Sequence, residues 1–382
     1  MKGLKNVNVY IEGKGIVKTD IAFENGKIVL ENASIDEEIA TFSQDALVVP
    51  GFVDEHIHGA GGFDAMDGTS EALSTIATKI ASEGTTTFLA TTMTQSVENI
   101  SKALKGVDTY IKENHTEGAR VGGVHLEGPF ISPKHVGAQP LEYVAKPSVE
   151  TFKKYFADSG NSVKIVSLAP EMEGAEELVK FLVENKVVAS IGHTGAGNKQ
   201  VEKAIDFGMT NVTHTYNAQT GIHHRDVGVV GTALLRDELN CELICDTIHV
   251  SVPAIKLVMK NKPKDKVTLI TDSMRAKHMP DGESELGGQL VIVKNGEARL
   301  VDGTLAGSVL KMNVAIKNVV EQAGVDLLDA IDMASKNPAM NIGMYDKIGS
   351  IKDGKNADIT VIDKNTFEVL LTVRDGNIIY KK

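Results

Sequence analysis

The stretch Leu47-Val48-Val49-Pro50-Gly51-Phe52-Val53-Asp54-Glu55-His56-Ile57-His58-Gly59 decides the fold. Its apolar run, broken only by Pro50 and Gly51, reads as a buried strand over residues 48–58. The strand ends in two histidines spaced i, i+2, and in an extended chain such side chains project to one face. Two imidazoles on one face at the end of a buried strand are what a divalent metal site uses.

Downstream of this strand, short apolar runs alternate with amphipathic stretches. Strands are predicted at 86–92, 121–127, 163–169, 187–193, 210–215, 242–247 and 267–272. Helical patterns fall at 71–83, 96–113, 175–185, 199–207 and 252–260, with a further helix over 311–322. Eight strands alternating with helices are the signature of a parallel sheet. A closed (β/α)8 TIM-like barrel of about 250 residues fits this α/β count. An open doubly wound sheet would carry a Gly-rich phosphate loop after its first strand, whereas this chain has His56-Ile57-His58-Gly59 there.

The chain ends differ in style from the middle. Segments 7–11, 19–23 and 27–30 are joined by turns that include Asn25-Gly26, and segments 357–362, 367–373 and 378–380 by one that includes Asp375-Gly376. Asn-Gly and Asp-Gly between alternating runs are hairpin signals. A small β-sandwich domain built from both termini is therefore expected over 1–50 and 346–382, with the barrel over 51–345.

In a barrel the chemistry collects at the C-terminal ends of the strands. Those ends supply His56, His58, Glu127, His193, His214, His249 and Asp272. A lone histidine in such a place is more often a hydrogen-bonded rim residue, and a lone aspartate more often a helix cap. A ligand-type residue at several of eight strand ends is much harder to assign to packing, and it points to a metal-dependent hydrolase. His115, His135, His223, His224 and His278 fall in expected loops or helix ends and read as solvated. His125, two residues before Glu127, should face the same side of its strand. Phe63, Phe88 and Phe130 read as core.

Composition narrows the function classes. Of 382 residues, 51 are acidic and 40 basic, a formal charge of −11, which argues against nucleic-acid binding. An anionic small substrate would need a local basic pocket. The only cysteines are Cys241 and Cys245. In a strand they would lie roughly 13 Å apart, too far for a bridge, so a reduced, cytoplasmic setting is expected. The first fifteen residues lack the apolar core of a signal peptide, and no apolar run reaches the length of a membrane span.

The segment 50–59 resembles the opening metal motif of the amidohydrolase superfamily. Four further segments resemble its N-acetylglucosamine-6-phosphate deacetylase family: His125-Leu126-Glu127-Gly128-Pro129-Phe130, Gly192-His193-Thr194, Thr213-His214-Thr215-Tyr216-Asn217-Ala218 and Leu305-Ala306-Gly307-Ser308, together with Thr271-Asp272-Ser273. The resemblance implies removal of the acetyl group from N-acetyl-D-glucosamine 6-phosphate, in amino-sugar catabolism and recycling. It implies that Glu127, His193 and His214 hold the principal divalent ion. Some members replace the first two histidines; this chain keeps His56 and His58, which implies a second ion, with Glu127 in the bridging role. One or two ions per subunit are thus expected, and the ligand set suits zinc, iron, manganese or cobalt.

By the same resemblance Asp272 is the catalytic acid/base, taking a proton from metal-activated water and returning it to the leaving amine. Asn217, Ala218, Arg225 and His249 match substrate contacts, with Arg225 on the phosphate, where a guanidinium fork suits a dianion. Leu305, Ala306 and Gly307 match a backbone contact to the sugar. A homodimer is implied, since in the family some contacts come from the neighbouring subunit. Two positions depart from the pattern. Ala138 is followed by Gln139, where many members have a histidine; an amide donates hydrogen bonds but carries no charge. Thr247 stands where glycine is usual.

Overall fold

Gly51 divides the opening stretch in two. In the computed structural model, which describes residues 1–31 and 33–382, Ala46–Pro50 lies in a sheet made from both termini and Phe52–Ile57 starts a separate parallel sheet. The single strand expected over 48–58 is therefore two strands in two sheets. The cause is local. A Cβ on Gly51 would lie 2.3 Å from Thr86 Oγ1, so a side chain would block the close passage of the chain at the switch. There the Gly51 N–H donates to Asp358 O (3.0 Å) and the Phe52 N–H to Gly84 O (2.9 Å), one bond to each sheet.

The parallel sheet runs, strand by strand, through Phe52–Ile57, Thr85–Thr91, Arg120–Glu127, Val163–Leu168, Val188–Ile191, Asn211–Val212, Asn240–Ile244 and Val267–Ile270. Just beyond the ladder the first and eighth strands join: Asp272 N–H donates to His56 O (2.8 Å) and His58 N–H to Ser273 O (2.9 Å). Thr271 Oγ1 adds a side-chain bond to Asp54 Oδ2 (2.5 Å). The result is a nearly closed eight-stranded TIM-like barrel.

Two of the outer helices arise where the sequence supplies both a side-chain cap and an apolar stripe. Ser70–Ala81 is capped by Thr69 and buries Leu73, Ile76, Ala77 and Ile80; Val97–Glu113 is capped by Ser96 and buries Ile100, Leu104 and Val107. Ala175–Glu184, Asn198–Phe207 and Val252–Asn261 follow the fourth, fifth and seventh strands as expected. The helix expected over 311–322 is α-helical over Met312–Asn318 and continues as a π-helical turn over Val319–Ala323. Two further crossover helices lie outside the expectations. Val149–Asp158 is capped by Ser148 and buries Phe152 and Tyr155, signals as legible as those of the expected helices, whereas Gly228–Leu235 is apolar on nearly every side and almost wholly buried, so it has no polar face to set a period. Lys336–Asn341 closes the N-terminal end of the barrel: Ala339 packs with Val53, Leu89 and Ile165, and Asn341 Nδ2 donates to the buried Glu55 carboxylate (3.0 Å).

After the eighth strand an unanticipated antiparallel sheet, Gly282–Leu286, Gln289–Lys294 and Glu297–Leu300, overhangs the opposite end. Its turns, Gly287-Gly288 and Asn295-Gly296, are hairpin signals of the kind used at the chain ends.

The terminal strands form one continuous sheet in the order Asn377–Lys381, Val369–Arg374, Ile359–Asp363, Ala46–Pro50, Lys2–Ile11, Gly15–Glu24 and Lys27–Val29, with Glu37–Glu38 beside Lys2–Ile11. Asn25-Gly26 and Asp375-Gly376 have positive φ at both residues (50° and 75°; 48° and 75°), the two-residue turn their sequences predict. Leu4, Val9, Ile21, Val48, Ile359 and Leu371 share this sheet's own core. Phe88 and Phe130 are fully buried, while Phe63 is only partly so. Cys241 and Cys245 are buried and unbridged. Among the described residues no helix is long and apolar enough to cross a membrane.

Candidate metal centre

At the C-terminal end of the barrel a cavity of about 200 Å³ is lined by His58, Glu127, His193, His214, His249 and Asp272, and by Gly137, Ala138, Gln139, Asn217, Ala218, Leu305 and Gly307. A larger groove of about 610 Å³ lies on the outer helices beside Lys102, Lys105 and Lys154, away from these groups. Met93, Leu286 and Thr304 also line the cavity. Leu286 comes from the unpredicted three-stranded sheet, whose Gly287-Gly288 turn was the available signal.

Two ligand-type clusters share the floor. In the first, Glu127 Oε1 lies 3.2 Å from His193 Nε2 and 2.9 Å from His214 Nε2, and the two imidazole nitrogens are 3.2 Å apart. In the second, Asp272 Oδ1 lies 3.4 Å from His56 Nε2 and 3.2 Å from His58 Nε2. Glu127 reaches into both, because its Oε2 is 3.2 Å from His58 Nε2. All six side chains are buried.

The strand ends are bent to achieve this. His193, His214 and Asp272 have φ of 51°, 28° and 48°, in the left-handed region that non-glycine residues rarely adopt. Backbone bonds hold these turns: Ser132 N–H to His193 O (2.8 Å), Asn217 N–H to His214 O (3.0 Å) and Ser308 N–H to Asp272 O (2.8 Å). Gly307, just before Ser308, has φ 62°, and a Cβ there would sit 3.2 Å from Asp272 O.

The electrostatics favour a cation. Burial opposes ionisation of Asp272, yet His56 and His58 hold its carboxyl down at about 2. Burial likewise opposes a charge on His58, but hydrogen bonds to Asp272 and Glu127 push the imidazole up to about 10. Glu127 sits well below the usual carboxylate range, with His56, His193 and His214 outweighing its burial. The floor is thus a concentration of buried negative charge that draws in positive charge.

A second ring of side chains holds the first. Glu242 Oε2 accepts from His56 Nδ1 (2.9 Å) and from the His214 N–H (3.2 Å), while its Oε1 accepts from Asn211 Nδ2 (2.9 Å). His125 is buried beneath the floor against Glu55 O (3.0 Å) and Ser167 Oγ (2.7 Å), and burial first, then His56, pulls it down to about 4. Asp246 accepts from His249 Nδ1 (2.6 Å), leaving His249 Nε2 as the ring atom without that anchor. His278, expected to be solvated, is engaged instead, its Nε2 donating to the buried Glu83 (2.7 Å), while His135 is half-buried and contributes its backbone carbonyl, which accepts from His193 Nδ1 (3.0 Å).

The remaining expected residues fall in three places. Ala138, Gln139, Asn217, Ala218, His249, Leu305 and Gly307 line the cavity. Ala306 is buried behind it, packed with Met93, Met274 and Leu286. Arg225 is exposed in a loop outside the lining, its Nη1 2.8 Å from His224 Nε2.

The donor set fits divalent metal. A tetrahedral ion with bonds of 2.0–2.1 Å separates its ligand atoms by roughly 3.3 Å, and the Glu127–His193–His214 triangle has edges of 2.9–3.2 Å. The buried His56 Nε2 has no hydrogen-bond partner among the described residues and faces Asp272 and Glu127. An imidazole left without a partner beside two carboxylates is suited to a metal ion.

A sequence model of the amidohydrolase family matches residues 47–379. The chain is 40% identical over 385 residues to the N-acetylglucosamine-6-phosphate deacetylase of Bacillus subtilis (strain 168), covering 99% of this chain and 96% of that one. It is 37% identical over 326 residues to an N-acetylgalactosamine-6-phosphate deacetylase of Escherichia coli O157:H7, covering 85% and 86%. The crystal structure of N-acetylglucosamine-6-phosphate deacetylase from Thermotoga maritima superposes with a TM-score of 0.89 at 34% identity, covering all of both chains.

Proposed function

The chain belongs to the amidohydrolase family, and on that premise we propose that it is a metal-dependent hydrolase that takes the acetyl group off N-acetyl-D-glucosamine 6-phosphate, giving D-glucosamine 6-phosphate and acetate. The observation that carries this reading is the convergence of Glu127, His193 and His214 with His56, His58 and Asp272 on one cavity floor.

Glu127, His193 and His214 would hold one divalent ion, and His56, His58 and Asp272 a second, with Glu127 Oε2 beside His58 (3.2 Å) available to both. Such ions supply Lewis acidity toward the acetyl carbonyl and make water acidic enough to react near neutral pH. Zinc, iron, manganese and cobalt all suit these ligands.

Asp272 does the proton work. Water adds to the acetyl carbonyl carbon, Asp272 takes its proton, and the same proton passes to the sugar nitrogen as the C–N bond breaks, so the nitrogen leaves as a neutral amine. Its Oδ1, 3.4 Å from His56 Nε2 and 3.2 Å from His58 Nε2 on the cavity floor, stands beside the point where the reacting water would sit. His249, oriented by Asp246, presents a ring nitrogen to the sugar. Asn217, Ala218, Leu305 and Gly307 shape the sugar's bed, with Ala138 and Gln139 on the same wall. Arg225, standing outside this cavity, is assigned to the phosphate of a neighbouring subunit's substrate, which makes the active form a homodimer.

The same reading takes residues 51–345 as the catalytic barrel and residues 1–50 with 346–382 as a small β-sandwich domain. Support for the latter is a core drawn from both termini. The unbridged cysteines fit a cytoplasmic enzyme.

An acetate-release assay with elemental analysis tests the function. Turnover of N-acetylglucosamine 6-phosphate by metal-loaded protein, lost on chelation and restored by metal, is expected. Stoichiometric metal with no acetate release from the phosphorylated sugar would overturn it.

A further inference from the structure

Gln139 lines the cavity, yet both polar atoms of its side chain face the protein. Its Oε1 accepts the Thr94 backbone N–H at 2.7 Å, and its Nε2 donates to Glu127 Oε2 at 2.7 Å. A backbone N–H only donates, so the amide oxygen must face Thr94 and the amide nitrogen must face Glu127. Gln139 is 5% exposed and Thr94 is fully buried, so this clamp is assembled without solvent.

The clamp acts on the carboxylate that both clusters share. Glu127 Oε1 lies nearest His193 and His214 (3.2 and 2.9 Å) and farther from His56 Nε2 (3.5 Å), while Oε2 points at His58 and Gln139. Rotation about the last side-chain bond of Glu127 would exchange the two oxygens or swing both toward one cluster. A donor fixed on Oε2 opposes that rotation, and because the amide is neutral it does so without competing for the charge that a metal needs. A group that orients a ligand by hydrogen bonding typically contributes ten- to a hundredfold in metal affinity.

We infer that Gln139 is a positioning residue for Glu127, fixing which carboxylate oxygen faces which metal, and that its part in the site is not contact with the sugar. This rests on the reading of Glu127 as a metal ligand.

The test uses full-length protein freed of metal and titrated with zinc in the presence of a competing chelator, then assayed at saturating zinc. Two variants are compared, Gln139→Ala and Gln139→Met; the second keeps the length and volume of the side chain should the first pack poorly. Zinc affinity lower by tenfold or more in the variants, with the KM for the phosphorylated sugar changed less than about twofold at saturating zinc, supports the inference. A KM raised tenfold with zinc affinity unchanged would make Gln139 a sugar contact and overturn it. Wild-type protein that takes up no zinc overturns the metal reading and this inference together. Wild-type and variant proteins that bind zinc equally well overturn this inference alone.

Discussion

Glu242 Oε2 and His56 Nδ1 lie 2.9 Å apart with neither side chain exposed to solvent, which ties the seventh barrel strand to the first directly beneath the metal floor. The same oxygen accepts the backbone N–H of His214 (3.2 Å), so one carboxylate braces a histidine from each cluster. A carboxylate on the far nitrogen of an imidazole fixes its tautomer and raises its donor strength. Glu242→Gln keeps the shape and removes the charge. Metal affinity is expected to fall roughly ten- to a hundredfold, read from metal content after dialysis against graded chelator. Affinity equal to wild type would leave Glu242 with a packing role only.

Asp272→Asn should separate proton transfer from folding. Asparagine tolerates the left-handed backbone that Asp272 adopts (φ 48°), and the two backbone bonds to His56 O and Ser308 N are untouched. Loss of general acid–base catalysis is worth roughly 10²–10⁴ in rate. Assayed at saturating metal, the expected outcome is kcat reduced by about that factor with the native fold retained by circular dichroism, while the melting temperature falls because the buried contacts with His56 and His58 lose their charge. Activity above about a tenth of wild type would remove Asp272 from the proton-transfer role.

How far the site could be read in the sequence follows from where its parts sit. His56, His58, Glu127, His193, His214 and Asp272 stand at or near strand ends, and a barrel gathers such ends at one place, so counting strands was enough to bring them together. Leu286 was legible only as part of a hairpin, from the Gly287-Gly288 turn, and not as a lining residue, because its sheet follows the eighth strand, where the alternation of strands and helices no longer constrains the chain. Glu242 lies within a buried strand between Cys241 and Leu243, and only the barrel's closure shows that it faces His56. The direction of the Gln139 amide depends on a partner forty-five residues away. The split at Gly51 was hidden because the apolar run continues across it from Leu47 to Val53 and only the sheet pairing differs.

Thr247 carries a φ of 68°, which explains the usual glycine at this position. Left-handed backbone costs an L-residue about 1–2 kcal/mol, against roughly 0.5–1 kcal/mol of extra chain entropy lost when glycine folds. Thr247→Gly should therefore be neutral to about 1.5 kcal/mol stabilising. For a chain of this length that is a rise of up to roughly 2 °C in Tm, best resolved by denaturant titration. A fall of several degrees would mean that the threonine side chain contributes packing that outweighs the backbone strain.

Arg225→Ala should separate recognition of phosphate from chemistry. A charge-assisted contact is worth roughly 1.5–3 kcal/mol, so the KM for the 6-phosphate is expected to rise about ten- to a hundredfold with little change for unphosphorylated N-acetylglucosamine. Because Arg225 stands outside the cavity lining, mixing Arg225→Ala protein with Asp272→Asn protein is expected to restore part of the activity through mixed dimers. Equal effects on the two sugars would remove Arg225 from the phosphate site, and a monomer with full activity would remove the dimer.

Lys355 gives the fold a pH dependence of known sign. Its Nζ donates to the carbonyls of Ile348 (3.1 Å) and Tyr345, and lies 3.5 Å from the centre of the Tyr345 ring. Burial, only partly offset by Glu12, pulls the ammonium down to about 8. The folded chain therefore releases this proton near pH 8, whereas the unfolded chain keeps it until about 10.4. Between those values the unfolded state binds more protons, so this residue's contribution to stability rises with pH; below pH 8 both states are charged and the contribution is constant. Lys355→Met keeps the apolar stem and removes the titration. The unfolding free energy of wild type minus variant should be flat up to about pH 8 and then climb toward pH 10. A difference that stays level or falls across that window would mean that Lys355 keeps its proton in the fold, held by the two carbonyls and the face of the Tyr345 ring.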